Sequence, residues 1–193
     1  MNQYGWHNHL QGSELFNTLS NAELKQIWPL CTHRTCDEDE YGWHNHLQGS
    51  ELFNTLSNAE LKQIWPLCTH RTCDEDEIIH NQGEHSDALY VIADGAVTLL
   101  RHVREPDMTE NGEVAIDILQ ASRVFGWSSL IRPSVHTATA KAVGKTELIA
   151  IDAAALKFTL ENNPSAGFKV MLKLTQLLVS RLREAYSVFD AIL

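Results

Sequence analysis

The chain has no apolar run that approaches the roughly 18 residues a membrane-spanning helix needs. Its first residues, MNQYGWHNHL, lack the basic and apolar regions of a secretory signal. Positive charge is scarce as well: 15 Lys and Arg stand against 25 Asp and Glu, a formal net charge of -10. That balance excludes the concentrated basic surface on which nucleic-acid binding depends. No Ser-His-Asp arrangement, glycine-rich nucleotide fingerprint or carboxylate pair stands out, so no catalytic residue is assigned and no enzyme is expected. The expectation is a cytoplasmic protein with neither a nucleic-acid nor a membrane partner. What is present is ordinary for a soluble domain: 193 residues, 44% hydrophobic and 21% charged, enough for one domain with an appendage.

Cysteine is sparse, and its count of 4 is inflated by repetition. Residues Tyr4 to Glu40 recur without change as Tyr41 to Glu77. Solenoid repeats vary in detail and come in three or more copies. Two identical copies point instead to a recent duplication or an artefact, so each motif inside them counts once. Cys31, His33 and Cys36 recur as Cys68, His70 and Cys73, and an HNH recurs at 7–9 and 44–46. A C-x4-C spacing is wide for a zinc knuckle, and isolated cytosolic cysteines are more often small buried hydrophobes. No metal site is assigned. Each copy also carries a helix pattern; in the second, Ser57 or Asn58 caps it, Leu61, Ile64 and Trp65 share its apolar face, and Pro66 ends or kinks it. The second copy runs on into strands and is expected to pack on the domain.

From Ile78 the pattern turns to short strands with turn punctuation: 77–80, 88–92, 96–100, 114–119, 123–125, 137–143 and 146–151. Such spacing predicts an antiparallel sandwich or barrel, with 105–112 as a polar hairpin loop. After Asp152 the period becomes helical, with a short helix over 153–160 and a long one from Ser165. Met171, Leu174, Leu178, Leu182, Ala185, Phe189 and Ile192 recur at helical spacing, widened by Leu177, Val179 and Tyr186. A stripe this wide predicts helix pairing in a homodimer through 165–193, with a plain core helix as the alternative.

These stations, LFNTLSNAELKQIWPL, DEDEIIHNQGEHSDALYVIADGAVTLL, RVFGWSSLIRPSVHTATAKA and the closing LIAIDAAALKFTLENNPSAGFKVMLKLTQLLVSRLREAY, resemble in order the cyclic-nucleotide-binding domain family of the catabolite-activator type. The resemblance implies a mainly β fold with flanking helices: a double-stranded β-helix (jelly-roll) barrel plus a long C-terminal α-helix. It implies these parts: the duplicated segment 1–40; a leading helix and first strand in 41–77; a barrel over 78–152 with a phosphate-binding cassette at 123–142; and hinge and dimer helices in 153–193. The ligand-binding residues it implies are Phe125, Gly126, Trp127, Ser128, Ser129, Leu130, His136, Thr137, Ala138 and Thr139.

The cassette departs from the family at its ligand-reading positions. Trp127 stands where the family places a ribose-binding glutamate, and His136 where it places a phosphate-binding arginine. Indole offers one donor and no comparable acceptor, and histidine is mostly neutral at pH 7 unless an anion stabilises its charge. Trp127 either fills the former ribose space or stacks on a flat ligand. Arg132 either swings in or points to solvent. The expected function is a stand-alone regulatory module that senses a small anionic ligand, cAMP or cGMP among the candidates, with no other cofactor. The chain ends at Leu193 without room for a winged helix-turn-helix, so output is expected through the dimer helix and a protein partner, with SVFDAIL as a candidate contact. The alternatives are a scaffold protein with a vestigial pocket and a cupin-type metal enzyme using His80 and His85.

Overall fold

The computed structural model describes residues 39–103 and 112–190. The chain divides into two units, Met1–Asp39 and Glu40–Leu193, and the described elements belong to the second apart from Asp39 itself. The first-copy motifs at 7–9 and 31–36 lie outside the described residues, as do most of the 105–112 loop and Ile192.

Helix α1 (Asp39–Gly49) straddles the junction of the two repeat copies, an element the sequence pattern does not predict. Its Leu47 is fully buried. Helix α2 (Asn58–Ile64) begins where the cap signal points. The Ser57 hydroxyl accepts from Glu60 N at 3.3 Å, and the Glu60 carboxylate accepts from Ser57 N at 2.7 Å, a reciprocal capping box. Leu61 and Ile64 are buried, whereas Trp65 and Pro66 leave the α-helix in a short 3-10 turn, Trp65–Leu67.

The segment CTHRTC is a strand, β1 (Cys68–Cys73), in antiparallel register with the closing strand from Cys68↔Ile151 to Cys73↔Thr146. Five positions apart on a strand, its cysteines face opposite ways. Cys68 meets the helix-side core and Cys73 is buried between the sheets. They cannot share a metal ion. Burial pushes the Cys68 thiol up to about 12, so it is inert at neutral pH.

The remaining strands are β2 (Ile78–His80), β3 (Ala88–Asp94), β4 (Ala96–Val103), β5 (Gly112–Gln120), β6 (Val124–Phe125), β7 (Thr139–Ala142) and β8 (Thr146–Asp152). They form two four-stranded antiparallel sheets, ordered β1-β8-β3-β6 and β2-β7-β4-β5. The chain changes sheet between β3 and β4 at Gly95, whose φ of 84° and close approach to Thr146 leave no room for a side chain. Strand alternation divides the burial: Leu89 and Val91 face the helices, while Tyr90 and Ile92 face the other sheet. This is the mainly antiparallel β fold with flanking helices that the jelly roll implies.

Two helices close the chain. Asp152 caps α3 (Ala153–Asn162) by accepting from Ala155 N at 2.7 Å, and Asn163-Pro164 separates it from α4 (Pro164–Asp190). Ala166, Val170 and Leu174, one face at four-residue spacing, are buried in the helix-side core. Beyond them the same helix exposes Leu178, Val179, Leu182 and Tyr186 at 41–59%. The predicted stripe therefore divides into a packed half and an uncovered half. The side chains of Ala185, Phe189 and Ile192 lie outside the described residues, as do those of SVFDAIL.

Candidate functional site

Strand β6 ends at Gly126, which adopts φ 78° and turns the chain into a 3-10 turn over Trp127–Leu130. A Cβ there would lie 2.9 Å from Ala88 O and 3.1 Å from the Tyr90 ring, so only glycine lets the turn sit against β3. The first N–H groups of such a turn have no partner inside it. The following segment crosses over to β7, held by backbone bonds rather than by a ladder: Gly83 N donates to His136 O at 2.8 Å, and His136 N donates to Glu84 O at 2.9 Å. This explains why β7 starts at Thr139 and not at 137.

A cavity of about 570 Å³ opens between these segments and α4. Its walls include Phe125, Gly126, Trp127, Ser128, His136, Thr137 and Ala138 from the predicted set. The remaining predicted residues do not line it. Ser129 is buried beneath the turn, where its carbonyl accepts from Lys157 Nζ at 3.0 Å. Leu130 packs on the helix-side core, and the Thr139 hydroxyl accepts from Gln82 N at 3.0 Å. Arg132 is exposed on the loop outside the cavity wall.

Residues the sequence reading missed complete the wall: His80, Leu99, Arg101, Ile116, Asp117, Arg181 and Glu184. His80 lies face to face with His136, ring centroids 3.4 Å apart and planes 8° apart. Both His80 ring nitrogens are buried without a hydrogen-bond partner among the described residues. Burial, reinforced by the neighbouring His136, pushes the His80 imidazole down to about 3. Burial also lowers His136, against the opposite pull of Asp87 and Glu84. The pair is therefore neutral at pH 7. Trp127 does not plug the cavity: it is half-buried, and the Arg181 guanidinium lies over its ring at 4.2 Å from the centroid.

His85 is exposed and bridges Val135, so it does not meet His80. Among the described residues no group of three His, Cys, Asp or Glu side chains converges as a metal site would require. Among them, too, no helix is long and apolar enough to cross a membrane.

Residues 70–163 match the family model described as "Cyclic nucleotide-binding domain". No curated protein matches the sequence. Among solved structures, a cyclic nucleotide-binding domain from Methylobacillus flagellatus KT is similar at 25% identity and TM-score 0.67, over 80% of this chain and 85% of that one. The catabolite activator protein of Thermus thermophilus is similar at 29% identity and TM-score 0.61, over 74% of this chain and 63% of that one. The regulatory domain of Toxoplasma gondii PKA, solved with cAMP, shares the fold at 17% identity and TM-score 0.56, over 64% of this chain and 45% of that one. The match identifies residues 70–163 as a domain of the cyclic nucleotide-binding kind, a regulatory domain.

Proposed function

We propose that this domain is a non-enzymatic ligand sensor: a small anionic molecule enters the cavity, and α4 carries the response. A cyclic nucleotide, cAMP or cGMP, is the first candidate. The observation that carries this reading is that one cavity is walled both by the cassette turn at Gly126–Ser128 and by Arg181 and Glu184 of α4. Whatever fills it touches the long helix directly. Fold likeness alone does not assign a ligand, but the wall suits an anion with an apolar body. Leu99, Ile116, Phe125 and Ala138 offer an apolar surface, and Arg101 and Arg181 supply positive charge beside the carboxylates of Asp117 and Glu184. His136, neutral in the empty site, gains a proton more readily once an anion lies beside it.

The uncovered half of α4 suits a second copy of the chain, whose matching helix would bury Leu178, Val179, Leu182 and Tyr186 across a two-fold axis. Signal output then passes through the paired helices to a protein partner. Isothermal titration with cAMP, cGMP and cyclic dinucleotides tests the ligand reading. Binding at one site per protomer is expected. No heat and no rise in melting temperature with any of them would leave the second reading, a scaffold with a vestigial pocket. That reading draws on one observation: Arg181 stacked on Trp127 already satisfies the indole face.

A further inference from the structure

The sequence lacks an arginine at the cassette position where the resemblance places the phosphate-gripping cation, and His136 there is neutral. We propose that Arg181, reaching into the cavity from α4, is the anion-gripping residue of this site, so that the anion links the helix to the barrel. The inference rests on the ligand reading above and names the residue and the ligand class, a phosphate or phosphodiester presenting two acceptor oxygens.

Arg181 is a buried cation that its present partners hold poorly. Its side chain is 15% exposed, and its Nε has no hydrogen-bond partner among the described residues. Its contacts are long: 3.4 Å to Glu51 Oε1, 3.5 Å to Val124 O and 3.7 Å to Asp117 Oδ2. Well-formed guanidinium–oxyanion bonds run at roughly 2.7–2.9 Å, and the favoured ones are paired forks. None of these contacts makes a fork. A guanidinium this buried, with a donor unused beside a cavity, gains from an oxyanion that can meet two of its N–H groups at once.

The groups Arg181 would leave are already provided for. Glu51 Oε1 accepts from Val124 N at 2.8 Å, and its Oε2 pairs with Arg123 Nε at 3.2 Å. Glu51 thus loses its weakest partner and keeps two better ones. Asp117 is 35% exposed, so water can take over its carboxylate. Leaving Trp127 frees the indole face for the body of the ligand. Leu174 is the last fully packed apolar residue on α4, with Leu177 partly packed after it. Arg181 is the next described tie between helix and barrel. An anion gripped by it is held between barrel and helix and renews that tie.

The experiment is calorimetric titration of the full chain and of the variants Arg181→Gln, Arg181→Lys and Arg132→Gln, with cAMP and, separately, inorganic phosphate. Circular dichroism melts confirm that each variant is folded, and Arg181→Lys keeps the charge should Arg181→Gln melt early. Loss of a charge-assisted fork is expected to weaken cAMP binding by about 10- to 100-fold in Arg181→Gln. Arg181→Lys is expected to fall between the two, and Arg132→Gln, exposed outside the cavity wall, to change binding by less than about 3-fold. Amide exchange over 178–190 is expected to fall on cAMP addition in the wild type and to stay unchanged in Arg181→Gln. Phosphate binding with the same dependence on Arg181 supports the assignment and makes the source a free oxyanion. Equal cAMP affinity in wild type and Arg181→Gln overturns the assignment alone. Silence of the wild type towards both probes overturns the ligand reading and the assignment with it.

Discussion

One face of the sheet β1-β8-β3-β6 is closed by large side chains: Phe53, Leu61, Leu89, Ile149 and Leu156 meet there under the helices. The opposite face looks onto a second sheet that contributes Ala140 and Ala142 beside Ile79, Val97, Leu99 and Leu119, and it borders Ala138 and the paired imidazoles of His80 and His136. The two faces share strands and differ in what fills them. Large apolar groups packed to crystal-like density stabilise a fold and leave no void. Alanines opposite aromatic rings leave space, and neutral histidines at the edge of that space give it polarity. The helix side thus acts as foundation and the inter-sheet side as receptacle.

The sharpest way to break that contrast is to cut into the foundation. Phe53→Ala should destabilise the domain by about 3–5 kcal/mol, because the ring is fully buried and its cavity cannot collapse under two helices. Urea midpoints measure this. A loss below about 1 kcal/mol would mean that the helix side is not the foundation. On the other side, position decides the cost of adding volume. Ala140→Leu enters a site with no exposed surface and should cost about 1–3 kcal/mol. Ala138→Leu borders the cavity and should cost less, with the new side chain growing into the void and removing cAMP binding. Equal costs at 138 and 140 would erase the proposed difference.

How much of this could be read in the sequence tracks the same division. Short apolar runs bounded by turn residues placed β3 and β8, because a strand buried on both faces reads as a continuous apolar segment. The Phe125-Gly126 turn was legible because a positive φ demands a local residue type. CTHRTC hid as a metal motif, since short half-buried strands with hydroxyl and imidazole side chains have weak alternation. Arg181 and His80 were missed for a different reason. Their roles arise from approach across many residues of chain, and inside a helical stripe Arg181 resembles any solvated charge.

The histidine pair offers a chemical way to separate the two faces. His80 has a folded value lowered to about 3 against an ordinary 6.5, so the unfolded chain binds the extra proton first. Its contribution is therefore intact above about pH 6.5 and is lost as pH falls through that value towards 3, at up to about 1.4 kcal/mol per pH unit. His136, also lowered, adds in the same direction. Melting temperatures taken from pH 7.5 to 4.5 should fall, and His80→Phe should flatten the curve, since phenylalanine can stack on His136 without a proton to gain. A slope unchanged in that variant would place the acid sensitivity elsewhere.

The smallest effect belongs to the helix side and runs over a different pH range. Glu60 closes the α2 capping box and also accepts from Lys169 Nζ of α4 at 2.8 Å, which joins the leading helix to the long one. The Lys169 ammonium, with the Ser57 N–H and hydroxyl, holds the Glu60 carboxyl down to about 2 despite its burial. Its stabilisation is present above the usual value of 4.5 and disappears as pH falls towards 2, a window that starts and ends lower than that of His80. Ser57→Ala should cost about 1 kcal/mol by leaving the first turn uncapped. A double-mutant cycle of Glu60→Gln with Lys169→Met should give a coupling of about 1 kcal/mol at pH 7, vanishing near pH 2. Because the His80 loss begins near pH 6.5 and the cycle begins to titrate only below pH 4.5, acid sensitivity between those values belongs to the inter-sheet face. A Glu60–Lys169 coupling that faded already at pH 6 would mean that the foundation and the receptacle unfold as one titrating unit rather than as two.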